Sequence, residues 1–291
     1  MLGEVLTAIV TPFRPDGSVD RDGFRALARH LVENGSDGIV VAGTTGESPT
    51  LTDEERLDLF RIAVDELGGE ATVVAGTGTY STAHSIHLTE AADELGVDAM
   101  LVVTPYYSKP QPAGIVAHFE AIAEVTDKPI VVYNIPARVV LNIEPETIAR
   151  LGEIPNVTAV KQANDDLEQA RRIVELGLDL YAGDDPLLLP FLELGGVGVV
   201  SVTAHLVGAR MKEMVEAVRS GDAERAARID RELQPAWDLL KVVVNPVAIK
   251  AALNLLGHEV GGHRLPLVAA TDEEVILVRA LLERQGLLVA A

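Results

Sequence analysis

The chain has 291 residues, no cysteine and a formal net charge of −20. Without cysteine there is no disulfide, no cysteine–zinc site and no thiol catalysis, a composition that fits a reducing cytoplasm. The acidic charge disfavours nucleic acid and anionic membranes as partners, because both would be repelled, and any anionic metabolite needs cations supplied locally. At 48% hydrophobic residues the sequence can build a large core, and no stretch approaches the roughly 20 apolar residues of a membrane span. The start, Met1-Leu-Gly-Glu-Val, lacks the basic-then-apolar order of a signal peptide, so a cytoplasmic location is expected.

Short β-branched apolar runs alternate with amphipathic helical ones along the chain. Strands are expected at Val5–Val10, Gly38–Ala42, Thr72–Ala75, Ala99–Val103, Ile130–Tyr133, Val157–Lys161, Leu178–Ala182 and Gly198–Val202. Between them, Phe24, Leu27, Ala28 and Leu31 share one helical stripe, as do Leu88, Ala91, Ala92 and Leu95. Thr52 with Glu55 reads as a capping box opening a helix over Leu57–Leu67. Eight such repeats predict an α/β fold, a (β/α)8 TIM barrel, with a doubly wound open sheet as the alternative. After the eighth strand the pattern is helical only. The stripe Met211, Met214, Val215 and Val218 closes the barrel, and Asp222 caps a further helix running toward Trp237. Helices near Pro246–Leu256 and Asp272–Gln285 complete a small C-terminal helical region. The expected division is therefore 1–221 for the barrel and 222–291 for the helical region.

In such barrels chemistry sits where strands end and the following loops begin. The sixth run, Val-Thr-Ala-Val-Lys, ends in Lys161. Alternation puts Val157, Ala159 and Lys161 on one face; if that face lines the barrel, Lys161 is an amine at the rim of an apolar interior. Desolvation lowers a lysine pKa and frees the neutral amine to attack a carbonyl as a Schiff-base nucleophile. A strand-end lysine reaching to solvent is the plainer alternative. Tyr133 ends the neighbouring strand, about 4.8 Å away, and can supply acid–base help, or simply fill core. Gly43-Thr-Thr-Gly-Glu-Ser48 offers hydroxyls and free N–H groups for a small carboxylate, with Glu47 a buried brace of that loop. Arg138 can clamp a carboxylate from the same rim. Thr104-Pro-Tyr-Tyr107, Gly183-Asp-Asp185 and Gly198–Thr203 end the other strands. Gly195, Gly196 and Gly198 suggest either a barrel phosphate site or a helix cap with a tight turn. His84 and His87 lie three apart on a helix without a third ligand, so no metal site is expected.

These residues resemble the dihydrodipicolinate synthase / N-acetylneuraminate lyase family. The likeness runs from Thr11-Pro-Phe13 through Gly43–Ser48, Tyr133–Pro136 and Lys161 to Arg264-Leu-Pro266. Thr44-Thr45, Tyr106-Tyr107 and Arg138 look like the synthase branch, whereas sialic-acid lyases typically carry Ser-Thr in the first loop and lack the arginine. The resemblance implies a Schiff base between Lys161 and pyruvate, with Tyr133 moving protons. Thr44 and Tyr107 complete a relay, with Tyr107 donated by a neighbouring subunit of a homotetramer built as a dimer of dimers. Thr45 and Val200 position pyruvate with Gly183 nearby, and Arg138 holds the carboxylate of aspartate semialdehyde. No metal or organic cofactor is implied. Other pyruvate-dependent aldolases, acting on 2-keto-3-deoxy sugar acids or resembling the lyases, share the first half of this chemistry, and a non-catalytic carboxylate-binding barrel is the rival from another class. Val139-Val140 stands where the family often has Thr-Gly, Gln162 where it often has an acid, and Ala137 and Ala182 where small polar residues are usual.

The same resemblance bears on feedback. Lysine-sensitive relatives bind lysine near the positions of Ser48, Tyr80, His84 and Tyr106, with asparagine and glutamate typical at the second and third. Here an aromatic ring and an imidazole stand there. Truncating one side of a buried charge pair costs about 2–5 kcal/mol, at about 1.4 kcal/mol per tenfold in affinity. Titrating lysine against initial rate at fixed pyruvate should therefore give half-inhibition only above the millimolar range. Submillimolar inhibition would show that another carboxylate, such as Asp53, serves instead.

Overall fold

The computed structural model describes residues 1–289. Eight strands close into one parallel barrel in chain order: β1 (Val5–Ala8), β2 (Gly38–Val41), β3 (Thr72–Gly76), β4 (Ala99–Val103), β5 (Ile130–Asn134), β6 (Val157–Gln162), β7 (Asp179–Ala182) and β8 (Gly198–Ser201). β8 pairs back onto β1, Val5 against Val199, so the open-sheet alternative is excluded. The strands read as unbroken apolar runs because both faces are covered. Along β2, for example, Ile39 faces the outer core and Val40 the barrel interior.

The outer layer comprises α1 (Arg21–Glu33), α2 (Asp53–Leu67), α3 (Thr82–Glu94), α4 (Pro112–Ala123), the short α5 (Pro136–Val139), α6 (Pro145–Leu151), α7 (Leu167–Glu175), α8 (Leu188–Glu193) and α9 (Ala204–Arg219). The Phe24, Leu27, Ala28 and Leu31 stripe of α1 is buried, and the Thr52–Glu55 capping box is formed. α9 packs against β1 and completes the layer, despite a break in helical geometry at Val207. α10 (Ala223–Leu239) opens with Asp222 accepting from the Arg225 N–H and runs along α9. α11 (Val247–Leu255) and α12 (Asp272–Arg284) follow. Trp237 is core, its indole N–H donating to Asp230 at 3.1 Å.

Two sequence expectations change. The β5–β6 register runs from Ile130↔Val157 directly to Val131↔Ala159. Thr158 is the extra residue of a bulge, and it is exposed. Val157 consequently joins Val160 in the outer core, while Ala159 lines the interior; the shared face begins at Ala159. Of the two readings of Gly195, Gly196 and Gly198, the helix cap with a tight turn holds: Gly195 and Gly196 precede β8 and Gly198 opens it, at the barrel end opposite the C-terminal ends of the strands. Gly195 follows α8 with φ 97°, and a Cβ on Gly198 would stand 1.9 Å from the Glu4 carbonyl.

α5 ends at Val140, held at φ 59°, ψ 19° and exposed. The left-handed region costs an L-residue about 1–2 kcal/mol, whereas glycine there adds about 0.4–1 kcal/mol of unfolded-state entropy. Val140→Gly should thus stabilise the fold by roughly 0.5–1 kcal/mol in denaturant titration; a loss of stability would contradict the strain.

Candidate active site

Lys161 and Tyr133 are register partners at the ends of β6 and β5. Both side chains are buried, and the Lys161 Nζ stands 4.1 Å from the centroid of the Tyr133 ring. Lys161 makes no ion pair among the described residues. Burial lowers its pKa to about 8, against the opposing pull of Asp185 and Asp184. Burial also pushes the Tyr133 phenol up to about 12, opposed by Arg138 and by a hydrogen bond to Thr44. At neutral pH the pair is therefore a readily deprotonated amine beside a phenol that keeps its proton.

The network behind them is made of amides. Asn134 and Gln162 follow the two residues in sequence, pair in register and are fully buried. Asn134 Nδ2 donates to Gln162 Oε1 at 3.1 Å and to Asn142 Oδ1 at 2.8 Å. Gln162 Nε2 donates to Asn164 at 2.7 Å and Gln169 at 2.8 Å. Gln169 in turn reaches the Ile143 carbonyl at 2.6 Å. A satisfied buried network rigidifies its surroundings. It holds the ends of β5 and β6 in register, and Gln162 occupies its place with no charge behind the lysine.

The first-loop turn brings Thr44 to Tyr133. Thr45 is buried, and its hydroxyl accepts from Asn245 Nδ2 at 3.0 Å. Glu47 sits at φ 57° and is the expected brace, bonded to Lys250 Nζ at 2.7 Å. Arg138, exposed on α5, donates to the Asn245 carbonyl at 3.1 Å. Val200 lines the interior from β8. Gly183 packs where a Cβ would meet Ala163 Cβ at 2.7 Å. Its N–H is spent on the Gln162 carbonyl at 2.8 Å, so only its carbonyl is left for a ligand. Tyr107 stands apart from this group in the single chain, 94% exposed at φ 71°.

Asp185 was read only as the end of the Gly183-Asp-Asp185 loop, and two further contributors, Asn245 and Lys250, escaped the strand-end reading. Asp185 ties β7 to the start of α9, accepting from the Thr203 N–H and hydroxyl, each at 2.7 Å. Asn245 lies beyond the barrel, where strand ends give no signal. Lys250 did leave one, a single cation in the otherwise apolar α11. Beside the site, His84 Nε2 contacts both Asp53 oxygens, at 2.9 and 3.0 Å, and Tyr80 meets Tyr106 edge-on at 5.4 Å. Asp53 is thus already engaged by His84.

Residues 1–285 match the dihydrodipicolinate synthetase family. The 4-hydroxy-tetrahydrodipicolinate synthase of Desulforudis audaxviator is 52% identical over 98% of each chain; that of Moorella thermoacetica is 50% identical over 98% of this chain and 99% of its own. Among solved structures, the lysine-bound synthase of Cyanidioschyzon merolae superposes with a TM-score of 0.97 at 45% identity, covering 99% of both chains. A synthase variant described as monomeric gives 0.95 at 40%, covering 99% of this chain and 98% of its own. With this likeness running the length of the sequence, and a lysine–tyrosine pair at the barrel mouth, the chain belongs to the dihydrodipicolinate synthetase family.

Proposed function

We infer that the chain condenses pyruvate with L-aspartate 4-semialdehyde, the reaction of a 4-hydroxy-tetrahydrodipicolinate synthase in lysine and diaminopimelate biosynthesis. The observation that carries the chemistry is the buried Lys161 amine, unpaired and lowered to about 8, 4.1 Å from the Tyr133 ring. The chain's family and its half-identical synthase relatives carry the choice of aldehyde.

The neutral Lys161 amine adds to the pyruvate ketone and water leaves, giving an imine. Loss of a methyl proton gives the enamine, which attacks the aldehyde carbon. Ring closure through the amino group of the semialdehyde and transimination then return Lys161 and release product. Tyr133 carries protons to and from the lysine nitrogen, and its raised pKa keeps it protonated at rest. Thr44 links it onward to Tyr107 of a neighbouring subunit. Thr45 and Val200 seat pyruvate with Gly183 nearby, and Arg138 binds the semialdehyde carboxylate. An outward Tyr107 in a left-handed conformation supports donation across an interface, and the assembly proposed is the homotetramer. No helix among the described residues is long and apolar enough to cross a membrane, and the acidic, cysteine-free composition supports a cytoplasmic location.

Borohydride with pyruvate should add one reduced pyruvyl group to Lys161 and leave Lys109, Lys128, Lys212, Lys241 and Lys250 unmodified by peptide mass mapping. An adduct elsewhere, or full activity of Lys161→Ala, would sink the assignment. The pH dependence has a definite sign. A lysine lowered from 10.5 to about 8 is neutral above that value, so trapping at subsaturating pyruvate should accelerate as pH rises through about 8 and then level off. An inflection near 10 would mean that the amine is solvated.

A further inference from the structure

The turn that carries Thr44 and Thr45 is tethered largely by the far end of the chain. Thr11 Oγ1 holds the Gly46 carbonyl at 2.7 Å. Thr50 Oγ1 and the Arg56 guanidinium hold the Glu47 and Ser48 carbonyls, at 3.0 and 2.6 Å, and the remaining anchors on Thr45 and the Glu47 carboxylate come from residues after α10. Asn245 Nδ2 donates to Thr45 Oγ1 at 3.0 Å. Lys250 Nζ donates to Glu47 Oε1 at 2.7 Å, and the Arg264 N–H to Glu47 Oε2 at 3.1 Å. The Lys250 and Glu47 side chains are both 0% exposed. Lys250 also donates to the Gly262 carbonyl at 2.7 Å and lies over the Phe13 ring, 4.3 Å from its centroid. Enclosed in this way, neither group can touch a substrate.

An ion pair kept wholly from water is a poor source of stability, since apolar residues of the same volume often do as well. What it supplies is a fixed distance and direction. Glu47 is also part of the turn's own geometry, with its N–H on the Thr44 carbonyl at 3.1 Å and its φ at 57°. Moving its carboxylate therefore moves the backbone at Thr45.

Resting on the reading above, we propose that the buried Lys250–Glu47 pair is a positioning device for pyruvate: it fixes the Thr45 backbone that receives the substrate carboxylate. Lys250 and Glu47 are positioning residues here, acting through Thr45. The loss on breaking the pair falls on pyruvate affinity, not on the aldehyde, whose carboxylate is held by Arg138 on α5.

Steady-state kinetics with both substrates, melting curves and borohydride trapping test this on Glu47→Ala, on Glu47→Gln, and on the double variant Lys250→Met/Glu47→Leu, which removes both charges together. For the alanine and double variants the KM for pyruvate should rise at least tenfold, and trapping at low pyruvate should slow by a like factor. Turnover at saturating pyruvate should stay within threefold, and the aldehyde KM within twofold. Glu47→Gln keeps an acceptor for Lys250 but loses the one for the Arg264 N–H. It should raise the pyruvate KM three- to fivefold, and it decides the matter if the more drastic variants do not fold. A purely structural pair would lower melting temperature and the amount of active protein while leaving the pyruvate KM unmoved; that result in folded variants overturns the proposal. No adduct in the wild-type chain would overturn the Schiff-base reading itself, whereas a wild-type adduct with unmoved KM in the variants removes only the positioning role.

Discussion

The candidate site depends on keeping one amine out of water without giving it an ion-pair partner among the described residues. A barrel with both faces covered does this through geometry alone: β6 delivers Lys161 to the end of an apolar interior, and desolvation outweighs the attraction of the nearby aspartates. The chain contains its own comparison. Lys250 is as deeply buried, and burial lowers it likewise to about 8, but it is clamped by Glu47 and by a carbonyl. A neutral amine with a free lone pair is a nucleophile, whereas a saturated ammonium is a strut. The two lysines differ in partners, not in burial.

The surroundings of Lys161 are arranged to preserve that difference. Asp185 is the carboxylate that pulls most on Lys161, and its oxygens are occupied by the Val202 and Thr203 N–H groups and the Thr203 hydroxyl. The groups behind the lysine are neutral amides, satisfied among themselves, so β5 and β6 are locked together with no carboxylate on Gln162. The C-terminal helices take part directly. Asn245 and Lys250 reach the first-loop turn, and Arg138 leans on the Asn245 backbone, so both substrate-facing loops rest on the same segment.

Much of this was legible in the sequence, and the exceptions have physical causes. The strands were visible because β-branched runs covered on both faces admit no other reading. Their ends were less so: β1 stops at Ala8 because the Val10 N–H turns to His205, a partner 195 residues away. Thr158 looks like any strand residue, and only the pairing with β5 makes it a bulge. Lys161 and Tyr133 were found because strand ends are where such a barrel places chemistry. Glu47 was seen as a brace, but its partner could not be, since nothing local connects residue 47 with residue 250. The amide network was hidden for the same reason: Asn134, Asn142, Gln162, Asn164 and Gln169 come from four separate stretches and are unremarkable singly.

The central claim is that the primed amine is used for one aldehyde. The departures at Ala137, Val139 and Val140 lie beside Arg138, the residue proposed to bind the second substrate. The most direct measurement is a coupled assay of pyruvate condensation with aspartate semialdehyde and with sugar-derived aldehydes in parallel, on the same preparation. Aspartate semialdehyde should be preferred in kcat/KM by on the order of a hundredfold or more, because the carboxylate clamp proposed for Arg138 is one that the sugar-derived aldehydes cannot fill. Equal or faster turnover of a sugar-derived aldehyde would contradict the account and make the chain an aldolase of a different substrate class.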